Sequence, residues 1–285
     1  MKITASHGSG SLSYFKNNTP KIVKRVLKVP YLFILDVKHY VLNGFSSGIP
    51  APSISNMEAG SYKEIGREFF EYFTAYTNVT PSDKVLDVGC GWGRLALPFT
   101  GFLSPEGEYH GFEIIENRVS WAQKNISSRH PNFHFKLVDV KNFIYSDEGV
   151  SATSFKFPYD DNSFDLVFLN SVFTHMLPQD VDHYLSEIKR VLAPGGKCLI
   201  TYFLLNKEAL GLIENGKSLI DFKFEMNGYM TNDQVNPEEA IAFKEDYILD
   251  LYKKHGISID KPIKYGSWCQ RDSYLSFQDI IVGTN

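Results

Sequence analysis

Apolar and polar positions along this chain follow two rhythms. Short apolar runs bounded by turn residues occur at 85–88, 109–114, 133–140, 163–170 and 197–203, each of a length that suits one buried strand. After Pro178 the rhythm changes, and Val181, Tyr184, Leu185, Ile188, Val191 and Leu192 recur at helical spacing until Pro194-Gly195-Gly196 stops the helix. A second helix is predicted over 237–255, with Asn236 as its N-cap, Glu238 and Glu239 in its first turn and Gly256 just past its end. The runs 263–268 and 275–282 supply a sixth and a seventh strand. Strands that alternate with helices in this way predict an α/β fold.

The first strand carries the most specific chemistry. Val85, Leu86 and Val88 lead directly into Gly89, Cys90, Gly91, Trp92 and Gly93, where every second Cβ is missing and a ligand can lie against bare backbone. The spacing G-x-G-x-G lacks the third glycine that a dinucleotide fingerprint places one residue later. Asp87, two residues before the first glycine, would repel a pyrophosphate but can accept hydrogen bonds from the ammonium of an amino-acid ligand. With these residues the chain resembles the class I S-adenosylmethionine (SAM) dependent methyltransferases, whose first motif is an acid followed by G-x-G-x-G. The resemblance covers about residue 60 to the C-terminus. It implies a Rossmann-like sheet of seven strands, six parallel and one antiparallel, with helices on both faces. It also implies SAM as cofactor and S-adenosylhomocysteine as product.

The later strands extend that likeness. Glu113 ends the second strand about twenty residues past Gly93, and its two acceptor oxygens suit a ribose diol. In the resembled family the acid at this position binds both ribose hydroxyls. The resemblance likewise assigns Asp139 to the adenine amino group and Val140 to the ring. The fourth strand ends in Asn170, a further cofactor-binding candidate, and runs into Ser171-Val172-Phe173-Thr174-His175-Met176. Nucleobase amino methyltransferases continue here with Pro-Pro and an aromatic residue, so this departure argues against a DNA adenine substrate. The phrase is similar to one found in small-molecule methyltransferases of sugar, polysaccharide and secondary-metabolite pathways. Trp268-Cys269-Gln270-Arg271 resembles a second phrase of that subgroup, with Gln270 where the subgroup has glycine.

Methyl transfer from SAM needs alignment and exclusion of water, and a hydroxyl acceptor also benefits from a base. His175, just past the fourth strand, is the catalytic candidate. Because that strand ends in Asn170 and no second ligand stands at convincing spacing, metal independence is expected. The expected reaction is O-methylation of a glycosyl or secondary-metabolite scaffold; N-methylation of an amino sugar or amine, and SAM binding without turnover, are the alternatives.

Composition narrows the picture further. At 285 residues and 43% hydrophobic content, one elaborated domain over 51–285 follows an N-terminal extension over 1–50. A net charge of -4 offers no general attraction to nucleic acid, so a small-molecule acceptor is the expected partner. The three cysteines lack C-x-x-C spacing, which points to a reducing cytoplasm. Before Asp36 no acid occurs, and the basic amphipathic segment 16–30 is suited to an anionic membrane surface, to a transit peptide or to packing on the domain. The segments 50–66 and 206–235 are the expected determinants of substrate choice. In the second, a lid after strand five, Phe222, Phe224, Met226, Tyr229 and Met230 partly alternate with Lys223 and Glu225, as a hairpin would.

Overall fold

Apolar runs with no polar face must be covered on both sides, and the central strands are. The computed structural model describes residues 36, 38, 41, 49–51, 59–142 and 149–285, and the basic segment 16–30 lies outside the described residues. The chain divides into two units, 1–62 and 63–285. In the first, Asp36, Lys38 and Val41 are helical, and Ile49 and Ala51 are buried.

The second unit is built on a seven-stranded sheet. Its strands are β1 (Lys84–Val88), β2 (Glu108–Glu113), β3 (Phe133–Leu137), β6 (Phe164–Leu169), β7 (Leu192–Tyr202), β12 (Ser258–Ile259) and β13 (Asp279–Thr284). The short strands β4 (Val140–Lys141) and β5 (Val150–Ser151) pair separately. Across the sheet the order is β12-β13-β7-β6-β1-β2-β3. Only β13 runs against the others, antiparallel to both of its neighbours. This is the Rossmann-like arrangement of six parallel strands and one antiparallel strand. From β1 the chain steps outward to β2 and β3, then returns to the other side of β1 for β6, so the strand order reverses between β1 and β6 and opens a crevice at their carboxyl ends.

Strand alternation divides the core. Val85, Leu166, Phe168, Leu199, Ile280 and Val282 face Phe69 and Phe73 of α1 (Ala59–Tyr76), Phe99 of α2 (Ala96–Phe99) and Val119 of α3 (Glu116–Ala122). Leu86, Val88, Val167, Leu169 and Ile200 face the opposite way, toward Leu185 and Ile188 of α4 (Pro178–Val191) and toward Ile248 and Leu251 of a later helix. Helices therefore cover both faces. This is why these strands read as continuous apolar runs instead of alternating ones.

The stretch after β7 folds as a second, four-stranded sheet. It joins β8 (Leu204–Leu205), β9 (Phe224–Glu225), β10 (Tyr229–Thr231) and β11 (Ile241–Lys244), and α5 (Lys207–Glu214) packs beside it. β9 and β10 form the hairpin that the alternation predicts. Phe222, however, is fully buried with Phe203 and Trp268 in a core of its own.

Four sequence expectations change. Residues 237–255 are not one helix: Pro237–Glu239 form a 3₁₀ turn, β11 follows, and α6 (Glu245–Lys254) begins only after Lys244, while the Asn236 side chain caps nothing. The short run Ala240 to Phe243 fits either period, and two open strand edges, β8 and β10, claim it. Helix α4 ends at Val191, ahead of Pro194, because Leu192 turns extended and pairs with Phe164; Gly195 and Gly196 fall inside β7 next to a register shift. Residues 263–268 are not the sixth strand. That place belongs to β12, and the 263–268 stretch only bridges to β13, pulled in where Gly266 N and Trp268 Nε1 both donate to the buried Asp279 carboxylate at 2.7 Å. β3 ends at Leu137, so Asp139 lies past the strand, between β3 and β4.

Phe168 stacks on Phe73 with ring centroids 4.4 Å apart in the middle of the sheet. Phe168→Ala is expected to lower the unfolding free energy by about 3–5 kcal/mol, measured as the shift of a urea midpoint at unchanged slope.

Candidate active site

A cleft of about 220 Å³ opens at the carboxyl ends of β1, β2 and β6. Of the sequence candidates, Gly89, Gly91, Glu113, Val140, Asn170 and His175 line it. The glycine turn forms its floor. Gly89, Gly91 and Gly93 have φ of 76°, 54° and 73°, a region that side chains disfavour. A Cβ on Gly89 would also stand 2.7 Å from Val172 Cγ2, whereas one on Gly91 would meet no atom within 4 Å. Gly93 serves packing: a Cβ there would strike Ile126 Cδ1 at 2.6 Å.

Glu113 is fixed by backbone. Its Oε1 accepts from Ile114 N and Ile115 N at 2.8 and 3.1 Å, and its Oε2 accepts from Gly91 N at 3.0 Å and from Arg118 at 3.3 Å. The carboxylate is thus tied to the glycine turn on one side and the start of α3 on the other.

Four candidates lie off the cleft wall. Asp87 shares the parity of Val85, not of Val88, so its side chain enters the core under the turn and accepts from Tyr109 Oη at 2.5 Å. Burial pushes its pKa up to about 7, with the nearby Glu113 charge adding to the rise and the Tyr109 bond opposing it. Cys90 is buried, with its sulfur so near Gly111 that a Cβ there would approach it at 2.9 Å. Gly93 and Asp139 are the other two. Asp139 sits beside the Val140 wall, and a Cβ on Gly149 would meet its Oδ1 at 2.5 Å.

His175 lies in a 3₁₀ turn after β6, where Ser171 adopts φ 59° and donates its N–H to Thr201 Oγ1. Its Nδ1 stands 2.9 Å from the carbonyl oxygen of Glu238. A carbonyl only accepts, so Nδ1 carries the hydrogen and Nε2 is left as the basic atom of the neutral ring. Asn142 reaches His175 O and Glu238 Oε1, both at 3.4 Å, and ties three loops together.

Sequence reasoning missed Arg118, Asn142, Asp180 and Tyr184, all on the cleft wall, and assigned Glu238 to a helix start. Burial raises the pKa of both Asp180 and Tyr184. The only sequence signal for this pair was their i, i+4 spacing on α4, which the apolar face also explains. No lid residue from 206–235 lines the cleft among the described residues. The Trp268 and Arg271 phrase is structural: Arg271 is buried against Asp279 at 3.0 Å, and Gln270 keeps a left-handed turn with φ 63° where glycine was expected.

A Rossmann-like sheet with a glycine turn and an acid ending the second strand defines the class I SAM-dependent methyltransferase fold. Residues 80–242 match the methyltransferase domain family, and the chain belongs to it. The chain is similar to a demethylmenaquinone methyltransferase of Symbiobacterium thermophilum, 30% identical over 50% of this chain and 49% of that protein. It is also similar to a 2-phytyl-1,4-naphtoquinone methyltransferase of Trichormus variabilis, 27% identical over 45% and 50%. The chain spans about half the length of these curated relatives. A solved protein from Pyrococcus horikoshii OT3 shares the fold with a TM-score of 0.55, at 17% identity over 82% of this chain and 95% of that one. A SAM-dependent methyltransferase from Methanosarcina mazei does so with a TM-score of 0.51, at 21% identity over 75% and 96%. Among the described residues no helix is long and apolar enough to cross a membrane.

The cleft fits SAM. Gly89 and Gly91 present backbone without side chains, Glu113 presents a fixed carboxylate, and Ile114 and Val140 add an apolar wall.

Asp87 is a carboxyl whose pKa is raised in the folded state, so folding takes up a proton between the unfolded value near 3.8 and about 7. Its contribution is greatest below 3.8 and is lost as pH rises toward 7. Asp87→Asn, which can still accept from Tyr109, should flatten that part of the stability profile in denaturant melts from pH 4 to 7.

Proposed function

We propose that this methyltransferase modifies a hydroxyl of a small molecule, on a glycosyl or secondary-metabolite scaffold, with His175 as the base. The observation that carries the reading is the bond from His175 Nδ1 to Glu238 O, which fixes the ring and leaves Nε2 basic on the cleft wall. SAM, when bound, supplies a methyl group activated on a sulfonium. Gly89 and Gly91 would hold its amino-acid end, with Asp87 acting from beneath the turn. Glu113 would take the ribose hydroxyls, for which the 3.3 Å contact from Arg118 is the weakest of its four bonds to displace. Val140 would flank the adenine, and Asp139 stands next to it. Asn170 closes the cleft beside the turn.

The remaining wall would orient the acceptor. Phe112, Val172 and Met176 exclude water, and Asp180, Tyr184 and Asn142 offer polar partners. His175 Nε2 would take the hydroxyl proton as the methyl carbon passes from the sulfonium sulfur to the oxygen, leaving the thioether S-adenosylhomocysteine and a protonated imidazole. A second reading, a quinone-type ring as acceptor, is supported by the names of the two curated relatives.

His175→Asn keeps a donor near Glu238 O and removes Nε2. With labelled SAM and a panel of glycosyl, phenolic, quinone and amine acceptors, the wild type should methylate a hydroxyl compound. The variant should bind SAM unchanged by calorimetry and lose about 10²–10⁴-fold in kcat. Unchanged turnover would remove His175 from the chemistry, and methylation confined to quinones or amines would replace the acceptor. SAM binding with no transfer to any acceptor would favour a noncatalytic binding protein.

A further inference from the structure

At the opposite edge of the sheet, where β2 and β3 begin, three ligating side chains share one face. Glu108 and His110 are two apart on β2, so both project to the side that Phe112 also faces. In the parallel ladder His110 lies directly opposite His134 of β3, and their rings are 4.8 Å apart. Strand geometry alone thus gathers two imidazoles and a carboxylate, and their ligating atoms all lie within 4.8 Å of one another.

We propose that Glu108, His110 and His134 bind a divalent transition-metal ion of the zinc type. Two imidazole nitrogens and one carboxylate oxygen are a donor set that zinc or cobalt takes and that the oxygen-seeking magnesium and calcium do not. Zinc sits about 2.0–2.2 Å from such donors, so they must close to roughly 3–4 Å, which a small turn of the exposed His134 ring provides. The other two are already close. His110 Nε2 donates to Glu108 Oε2 at 2.8 Å, and the metal would enter between them as the ring hydrogen moves to Nδ1. Lys84 holds the other carboxylate oxygen at 2.9 Å and steadies it without covering Oε2.

One further feature agrees with a bound ion: burial lowers the pKa of His110, which favours the neutral ring that ligates, and bonds from His110 and Lys84 lower that of Glu108, which favours its anion.

Glu108 and Glu113 are five residue steps apart on β2, about 16 Å, and none of Glu108, His110 and His134 lines the cleft, so the site contributes no group to the methyl-transfer chemistry. Its consequence is mechanical. β3 is the sheet's edge strand, held on one side by β2, and a metal across His110 and His134 would clamp it there.

The test is zinc titration of the tag-free, metal-stripped chain by calorimetry, with cobalt absorption as the ligand-sensitive readout and a thermal melt in parallel. Expected for the wild type are one zinc per chain, visible cobalt bands and a higher melting midpoint with zinc. His134→Ala, at an exposed position, should melt like the metal-free wild type but bind zinc roughly tenfold or more weakly, without the cobalt bands. Glu108→Gln should weaken binding in the same direction. Wild-type affinity retained in His134→Ala, or no zinc binding by the folded wild type, would overturn the proposal.

Discussion

Gly89 N and Cys90 N both donate to the carbonyl of Phe112, at 2.9 and 3.0 Å, and the cleft depends on that joint. It fixes the turn after β1 against the end of β2, which in turn sets Gly91 N within reach of Glu113. The turn reaches Phe112 only because its glycines accept positive φ, and its closeness to Val172 leaves no room for a side chain at Gly89. Cofactor wall and acceptor wall are therefore one mechanical unit. A side chain at Gly89 would press on Val172, in the β6 loop that carries Asn170 and His175 as well.

Two buried acids hold this unit in place from below and from the side. Asp87 packs under the turn against Tyr109, and its raised pKa reflects a carboxyl placed for architecture at some electrostatic cost. Asp279 collects Leu204 N, Gly266 N, Trp268 Nε1 and Arg271 at one point, and burial pushes its pKa up to about 6 despite the adjacent guanidinium. Through those bonds the last strand of the main sheet is tied to the start of the inserted one. Breaking either partner would leave a charge or several backbone groups buried without compensation.

The inserted sheet meets the cleft at one place. Its own hairpin stays off the cleft, and its contribution to the site is the turn Pro237–Glu239, whose Glu238 carbonyl orients His175. Thus an insertion with a small core of Phe203, Phe222 and Trp268 reaches the cleft through Glu238, whose carbonyl meets His175 and whose carboxylate meets Asn142.

What could be read from the chain was local. Strands buried on both faces appear as unbroken apolar runs, a glycine turn needs glycine wherever it occurs, and Glu113 follows from strand length and spacing. Sequence by itself therefore determined the fold class, the sheet edge at which the cleft opens and six of the residues that line it. Tertiary structure alone decided the rest. The parity of Asp87 sends its carboxyl to the face that holds Tyr109, and the register of β1 against β2 decides that meeting. Residues 240–243 became a strand because β8 and β10, distant in sequence, offered unpaired edges. Asn142 and Glu238 meet His175 from separate segments, with Asp180 and Tyr184 of α4 on the same cleft wall, and no periodicity along one segment encodes where another will pack.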